Sequence, residues 1–174
     1  MIAKQLLETG ILQLGLFGEG QVPYRLRLEM LPAYPQLLQT IVYRGVQSLV
    51  GVSYFDRLVA HTDAIPIATA ISLQLGTSLV YSRGHSEAPV HDLVGAYDIG
   101  HPACLIVNTL PPDIHTFLTN AQKVGLEIHS ILEIVSTGIN IEGIDQYSIV
   151  TMTALVHELQ QANLITEHFA SHLS

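Results

Sequence analysis

A short segment that is apolar at every position, Ala103–Val107, limits the possible folds of this chain more than any other feature. It is followed by two prolines and then by the amphipathic stretch Ile114–Val124, which ends at Gly125. A strand without polar positions is buried on both faces, as in parallel sheets whose crossover helices cover both sides. The segment therefore predicts an α/β fold.

The rest of the chain repeats this alternation of short apolar segments and helical patterns. The predicted elements are the helix Leu37–Leu49, the strand Leu58–Ala60, the helix Ile65–Leu75 closed by Gly76, the strands Ser78–Tyr81 and Ile128–Val135, and a last helix around Ile149–Leu159. Right-handed crossovers would join them into a mostly parallel sheet flanked by helices. Ligands of such sheets bind at the carboxyl ends of the strands, which points to the loops after residues 60, 81, 107 and 135.

The first thirty residues predict a β-hairpin with a helix, a small hood in front of the sheet. Ala3–Glu8 has a helical pattern, and Leu12–Leu16 and Tyr24–Met30 alternate as strands do. Arg25 and Arg27 would share one face of the second strand. They are candidates for binding a carboxylate, with a solvated face or a dimer contact as the alternatives.

Composition excludes several classes of protein. With 174 residues, 48% of them hydrophobic and 13% charged, the chain fits one domain over residues 1–174. No apolar run reaches the roughly 18 residues that a membrane span needs, and the first residues lack a secretory signal, so we expect a cytoplasmic protein. A net charge of −8 makes a nucleic-acid partner unfavourable.

Motifs for other chemistry are missing from the sequence. The single cysteine, Cys104, lies in an apolar strand and is interpreted as a buried structural thiol. The histidines and aspartates between His85 and His101 match no metal-binding spacing, so no metal site is expected. Neither a G-x-S-x-G nucleophile elbow nor a glycine-rich nucleotide loop is present.

Several segments resemble the orotate phosphoribosyltransferase family over nearly the whole chain. IPIATAISLQLGTSLVYSR (Ile65–Arg83) is the most specific match, since it is similar to the family's stretch from the pyrophosphate loop to the catalytic loop. The other matching segments are LLETGILQLGLF, VPYRLRL, PACLIV and YSIVTMTALVHELQQANLI. The resemblance implies the type I phosphoribosyltransferase fold.

The functional motifs of that family are poorly matched. The resemblance implies that the loop after Val107 would cradle the sugar phosphate, with an acidic pair for the ribose hydroxyls; here that pair is replaced by neutral residues, and Pro111 and Pro112 remove two amide donors. The candidate ligand-binding positions of this degenerate loop are Asn108, Thr109, Asp113, His115 and Thr116.

Two further loops depart from the family in the same way. In the catalytic loop, Gly84 stands where the family has a lysine, which leaves Arg83 and His91 as candidate catalytic residues. At the pyrophosphate-loop position the sequence reads His61, Thr62, Asp63, and the carboxylate would face an anion. The family's G-R-E segment for orotate is replaced by Ser136–Ile139.

Two functions remain open from the sequence. The first is a phosphoribosyltransferase-like protein without catalytic activity that has a regulatory role or binds a small molecule or a protein partner, with no cofactor. The second is an active transferase of pyrimidine biosynthesis that acts on orotate or a related base and would need Mg²⁺. By resemblance we expect a homodimer in either case.

Overall fold

A computed structural model describes residues 1–18, 22–52, 54–84, 93–95, 100–171 and 173 of the chain. It confirms the predicted α/β fold with a mostly parallel sheet. The strands are β1 (Leu12–Phe17), β2 (Val22–Leu26), β3 (Arg57–Ala60), β4 (Ser78–Ser82), β5 (Leu93–Val94), β6 (His101–Val107), β7 (Leu126–Ser136) and β8 (Asp145–Thr151). Among the described residues the main sheet has six strands in the order β5-β4-β3-β6-β7-β8, and of their pairs only β4–β5 is antiparallel.

Helices cover both faces of this sheet, as fully apolar strands require. They are α1 (Ile2–Glu8), α2 (Pro35–Leu49), α3 (Ile65–Leu75), α4 (Ile114–Lys123), α5 (Met152–Gln161) and α6 (Glu167–Ala170), with short 3₁₀ helices at Leu28–Ala33 and Thr62–Ala64. None of the helices in the described ranges is long and apolar enough to span a bilayer.

The buried side chains form two clusters, one on each face of the sheet. Cys104 and Ile106 of β6 belong to the cluster beneath α1, α2, α3 and α5, whereas Leu105 and Val107 pack on the α4 side with Phe117. This alternation follows from the two-residue period of a strand. Cys104 is fully buried, which confirms its interpretation as a structural thiol.

The N-terminal hairpin is confirmed, but its second strand is shorter than predicted. β2 ends at Leu26, and the backbone continues as the 3₁₀ helix rather than as a strand to Met30. Leu28 and Leu31 are buried three residues apart, which is the spacing of a 3₁₀ turn. The hairpin is held near the main sheet through α1, where the backbone amide of Ala3 donates to a carboxylate oxygen of Glu158 on α5 at 3.0 Å.

The predicted helix around Ile149–Leu159 is confirmed, but it begins three residues later than predicted. Residues Asp145–Thr151 form β8, which pairs in parallel with β7, and α5 begins only at Met152. The hydroxyl oxygen of Thr151 accepts a hydrogen bond from the amide of Ala154 at 3.1 Å and so caps the helix. The β-branched residues before this cap fit a strand better than a helix.

Candidate functional site

The carboxyl ends of β3, β4, β6 and β7 meet at one edge of the sheet, where the four loops identified from the sequence lie. The loop after β3 begins at His61, the loop after β4 contains Gly84, and the loop after β6 runs from Asn108 to Asp113. The strand order therefore brings most of the predicted site residues together. His91 lies outside the described residues.

His61 bridges the loop after β3 and the start of α4. Its backbone amide donates to the carbonyl of Ile106 at 3.1 Å, and its ring lies edge-on to that of Phe117 with the centroids 5.4 Å apart. The Nε2 atom lies 4.0 Å from Oδ1 of Asp113, and the Nδ1 atom lies 3.2 Å from the hydroxyl of Thr62. The imidazole therefore lies between the loop after β3 and the loop after β6, which correspond to the pyrophosphate and phosphate loops.

Asn108 makes a second connection between the same two loops. Its side-chain amide donates to the backbone carbonyl of Asp63 at 3.1 Å, and its backbone carbonyl accepts from the amide of Val135 at 2.9 Å. The Oδ1 atom is buried and has no hydrogen-bond partner among the described residues. Asn108, which stands where the family has an acidic residue, therefore binds the backbone of a neighbouring loop of the same chain.

Gly84 places the loop after β4 against Thr62, in the loop after β3. Its φ is +82°, and a Cβ atom at this residue would lie 2.7 Å from Cγ2 of Thr62. Its amide donates to the hydroxyl of Ser82 at 3.1 Å, which holds the turn. L side chains rarely adopt this backbone conformation, so a side chain at the position that corresponds to the family's lysine would be strained and would require Thr62 to move. Arg83 precedes this turn and is exposed.

Three positions of the loop from Asn108 to Ile114 offer no amide donor to a ligand. Pro111 and Pro112 have none, and the amide of Ile114 donates to the carbonyl of Pro111 at 3.1 Å. Asp113 precedes α4 as its N-cap residue, although its side chain makes no capping hydrogen bond. Its carboxylate instead adds a negative charge beside the loop.

The remaining candidates are spread over different surfaces. His115 lines a groove of about 530 Å³ between α4 and the first residues of β7, where Glu127 and His129 also lie. Thr109 lies within the loop, and Thr116 is exposed on α4. Arg25 is exposed on the hairpin, and the Nε atom of Arg27 lies 3.3 Å from a carboxylate oxygen of Glu29.

Sequence reasoning missed Glu133, a buried acid at the end of β7. Only 1% of its surface is exposed. Burial raises its pKa, while the Ser136 hydroxyl, the Leu110 backbone and the Gln146 side chain partly offset this through hydrogen bonds. An acidic residue inside an apolar strand was the available signal, but the strand pattern alone does not show which loop it would contact.

The acidic pair that the resemblance implies for a magnesium-bound sugar pyrophosphate is missing from the end of β6. Mg²⁺ prefers carboxylate ligands, yet the end of β6 offers Asn108 and Thr109. Across the described part of the chain, no three His, Cys, Asp or Glu side chains are grouped so that they could hold a metal ion.

Comparisons with known proteins agree with the resemblance seen in the sequence, although no family model matches the chain. The orotate phosphoribosyltransferase of Sulfolobus acidocaldarius is 24% identical, over 95% of this chain and 90% of that protein. The structure of Leishmania donovani UMP synthase superposes with a TM-score of 0.85 at 23% identity, and the match covers 99% of this chain but only 40% of the synthase.

A third match has nearly the same length as this chain. The crystal structure of orotate phosphoribosyltransferase from Aeropyrum pernix gives a TM-score of 0.76 at 14% identity and covers 92% of this chain and 99% of that protein. The chain thus has the type I phosphoribosyltransferase fold and is similar in sequence to an orotate phosphoribosyltransferase along almost its whole length.

Proposed function

We propose that this chain is a phosphoribosyltransferase-like protein that does not catalyse phosphoribosyl transfer and that acts in regulation by binding a small molecule or a protein partner. The proposal rests on one observation: the two loops that would hold the substrate contact each other. The Asn108 side-chain amide donates to the Asp63 carbonyl, and Nε2 of His61 lies 4.0 Å from Oδ1 of Asp113, so the phosphate and pyrophosphate loops are in contact.

The balance of interactions also favours loss of substrate binding. A hydrogen bond to a charged group contributes about 1.5–3 kcal/mol, so losing two of them weakens binding by about a thousandfold. Asp113 and Asp63 add like charges, but the Asp113 side chain is 67% exposed, so water screens its repulsion. The missing donors therefore weigh more than the added charges.

A thermal-shift titration tests this proposal. A ligand at 100 times its dissociation constant stabilises a protein by about 2.7 kcal/mol, which raises the Tm of a domain of this size by about 5–10 °C. We expect no shift with phosphoribosyl pyrophosphate and Mg²⁺, with orotate or with orotidylate. The Sulfolobus acidocaldarius enzyme is the positive control for the ligands. A concentration-dependent shift with phosphoribosyl pyrophosphate would contradict the proposal.

The second candidate function is an active orotate phosphoribosyltransferase. Similarity to the Sulfolobus acidocaldarius enzyme over 95% of the chain supports it. Such an enzyme would require Mg²⁺ and would act on orotate or on a related base. Formation of a nucleotide from the base separates the two functions, because the first proposal needs neither a cofactor nor catalysis.

The proposal includes a homodimer and excludes nucleic acid as a partner. Large apolar side chains are exposed on and after α2 and on α3, and a second copy of the chain would cover such residues; they include Tyr43, Val50, Tyr54 and Leu73. The net charge of −8 opposes association with a polyanion. Light scattering coupled to gel filtration should give twice the mass of the chain, and a monomer mass at high concentration would contradict the dimer.

A further inference from the structure

A groove of about 530 Å³ lies between α4 and the first residues of β7, and we call it the α4–β7 groove. One wall is a face of α4, where His115, Leu118, Thr119 and Gln122 follow one another at intervals of three or four residues and so lie side by side. The groove adjoins the apolar cluster on the α4 side of the sheet. It is therefore a surface distinct from the loops at the carboxyl edge, although His115 begins close to them.

The opposite wall is a part of β7 that contains a β-bulge. In the pairing with β6, Ile128 lies opposite Ala103 and Ser130 lies opposite the next residue, so His129 is an extra residue on β7. A bulge changes the direction of a side chain, and bulges are frequent beside sites. It explains why Glu127, Ile128 and His129 all line the groove, whereas a regular strand would point the middle residue to the other face.

The polar groups of the groove offer a negative charge and hydrogen-bond acceptors. Glu127 carries the charge, and its Oε2 atom lies 3.4 Å from Nε2 of His129; both side chains are more than half exposed. The Thr119 hydroxyl donates to the His115 carbonyl at 2.9 Å, so its oxygen is left to accept from a ligand. Among the described residues that line the groove, none is Lys or Arg. An anion would therefore meet a like charge here, and a cation an opposite one.

Apolar side chains form the floor of the groove. Leu126 is buried, and Leu118, Ile128 and Ile144 are partly buried against the apolar cluster on the α4 side. Such a floor can take up an aliphatic chain, and each methylene that becomes buried tightens binding by about fourfold. The groove thus combines a charged group at its wall with an apolar surface beneath it.

We propose that the α4–β7 groove binds a small organic cation, namely a primary ammonium group that carries a short aliphatic chain. The ammonium group donates to Glu127 and to the neighbouring acceptors, and the chain lies on Leu118, Ile128 and Ile144. The net charge of −8 adds a long-range attraction for cations. This inference goes beyond the proposed function, because it concerns a different surface and holds whether or not the chain catalyses phosphoribosyl transfer.

The probe is hexylammonium, with methylammonium as the probe that lacks the chain and hexanoate as the probe of opposite charge. Dissociation constants are measured by NMR of the full chain with ¹³C-labelled Leu and Ile methyl groups, at pH 8, where histidine ordinarily carries no charge. Glu127→Gln removes the charge from the groove. The matched control is Glu142→Gln, which removes an equal charge from an exposed residue that does not line the groove.

We expect saturable binding of hexylammonium that shifts the methyl signals of Leu118, Ile128 and Ile144. Its affinity should exceed that of methylammonium by about tenfold or more, because several methylenes are buried. Glu127→Gln should weaken it by about threefold to fivefold, as expected for an exposed ion pair, whereas Glu142→Gln should equal the wild type.

Hexanoate that binds as tightly as hexylammonium would overturn the proposal, and so would an equal affinity of the wild type and Glu127→Gln for hexylammonium. Methyl shifts confined to residues outside the groove would also contradict it. The comparison of the three probes uses the wild type alone, so it does not depend on the folding of a variant. Orotidylate formation by the wild type would overturn the proposed function and leave these results unchanged, so the two failures are distinguishable.

Discussion

The side-chain amide of Asn108 donates a hydrogen bond to the backbone carbonyl of Asp63, with 3.1 Å between nitrogen and oxygen. These two residues follow different strands, β6 and β3, which are neighbours in the sheet. The bond therefore joins two loops at the carboxyl edge of the sheet. An asparagine can make this bond, whereas an ionised aspartate has no hydrogen to donate.

Replacing Asn108 with aspartate should therefore destabilise the protein rather than restore substrate binding. The carboxylate would face the Asp63 carbonyl, so we expect a loss of about 1–3 kcal/mol in the free energy of unfolding. Urea unfolding at pH 7 measures it, with Asn108→Ala as the control that loses the bond without adding a charge. An Asn108→Asp variant as stable as the wild type would show that the bond does not hold the loops together.

Gly84→Ala should cost more stability than the same change at Gly138. The two glycines have φ of +82° and +86°, and each donates its amide to a serine two residues earlier. A Cβ atom at Gly138 meets nothing within 4 Å, whereas one at Gly84 lies 2.7 Å from Cγ2 of Thr62. Both changes carry about 1–2 kcal/mol of backbone strain, so the excess at Gly84 measures the contact with Thr62.

The substitution Thr62→Ser removes Cγ2 and keeps the hydroxyl. In the Gly84→Ala background it should recover most of the excess cost in urea unfolding, as expected for two residues in contact. Equal costs at Gly84 and Gly138 would mean that the loop after β4 moves freely away from Thr62. In that case Gly84→Lys would be tolerated, which our account does not expect.

Much of the main sheet could be predicted from the sequence, because its local signals agree with its tertiary structure. The helix Ile65–Leu75 ends at Gly76, which has a positive φ, so its sequence signal and its geometry coincide. β8 was missed because its polar and apolar residues merge with the helical pattern after Thr151. Its strand conformation depends on pairing with β7, which lies nine or more residues away in sequence.

Only the residue types of the candidate site could be predicted from the sequence, not their contacts. The neutral Asn108, the two prolines and the missing lysine could be identified from the sequence. The bond from Asn108 to Asp63 could not, because it joins residues that are distant in sequence. A resemblance to a family aligns positions but does not show what replaces a lost ligand contact.

Glu133→Gln should change how stability depends on pH. Burial raises the pKa of Glu133 above its ordinary value of 4.5. Between that value and the raised one, the folded protein holds a proton that the unfolded chain has released, so stability falls as pH rises through this window. The variant lacks this penalty. It should therefore gain stability over the wild type as pH rises above 4.5, and the gain should become constant above the raised pKa.

Urea unfolding of both proteins between pH 4 and pH 8 checks this prediction. Curves that run parallel over the whole range would show that Glu133 titrates normally in the folded state, contrary to its burial.

The thiol of Cys104 should not react in the folded protein. Burial raises its pKa to about 11, although hydrogen bonds with the Ser130 side chain and the Leu132 backbone lower it in part. Since the thiolate is the nucleophile, a thiol reagent at pH 8 should label the protein only after unfolding in urea. Ile139→Cys places a thiol at a residue that is 58% exposed and is the control for rapid labelling. Labelling of the folded wild type at that rate would contradict the buried position.

An assay for orotidylate formation tests the central claim most directly. Purified protein is incubated with orotate, phosphoribosyl pyrophosphate and Mg²⁺, with the Sulfolobus acidocaldarius enzyme as the positive control. Because the phosphate and pyrophosphate loops bind each other through Asn108 and His61, we predict no orotidylate above the reaction without protein. Orotidylate that accumulates in proportion to the amount of this protein would contradict the account.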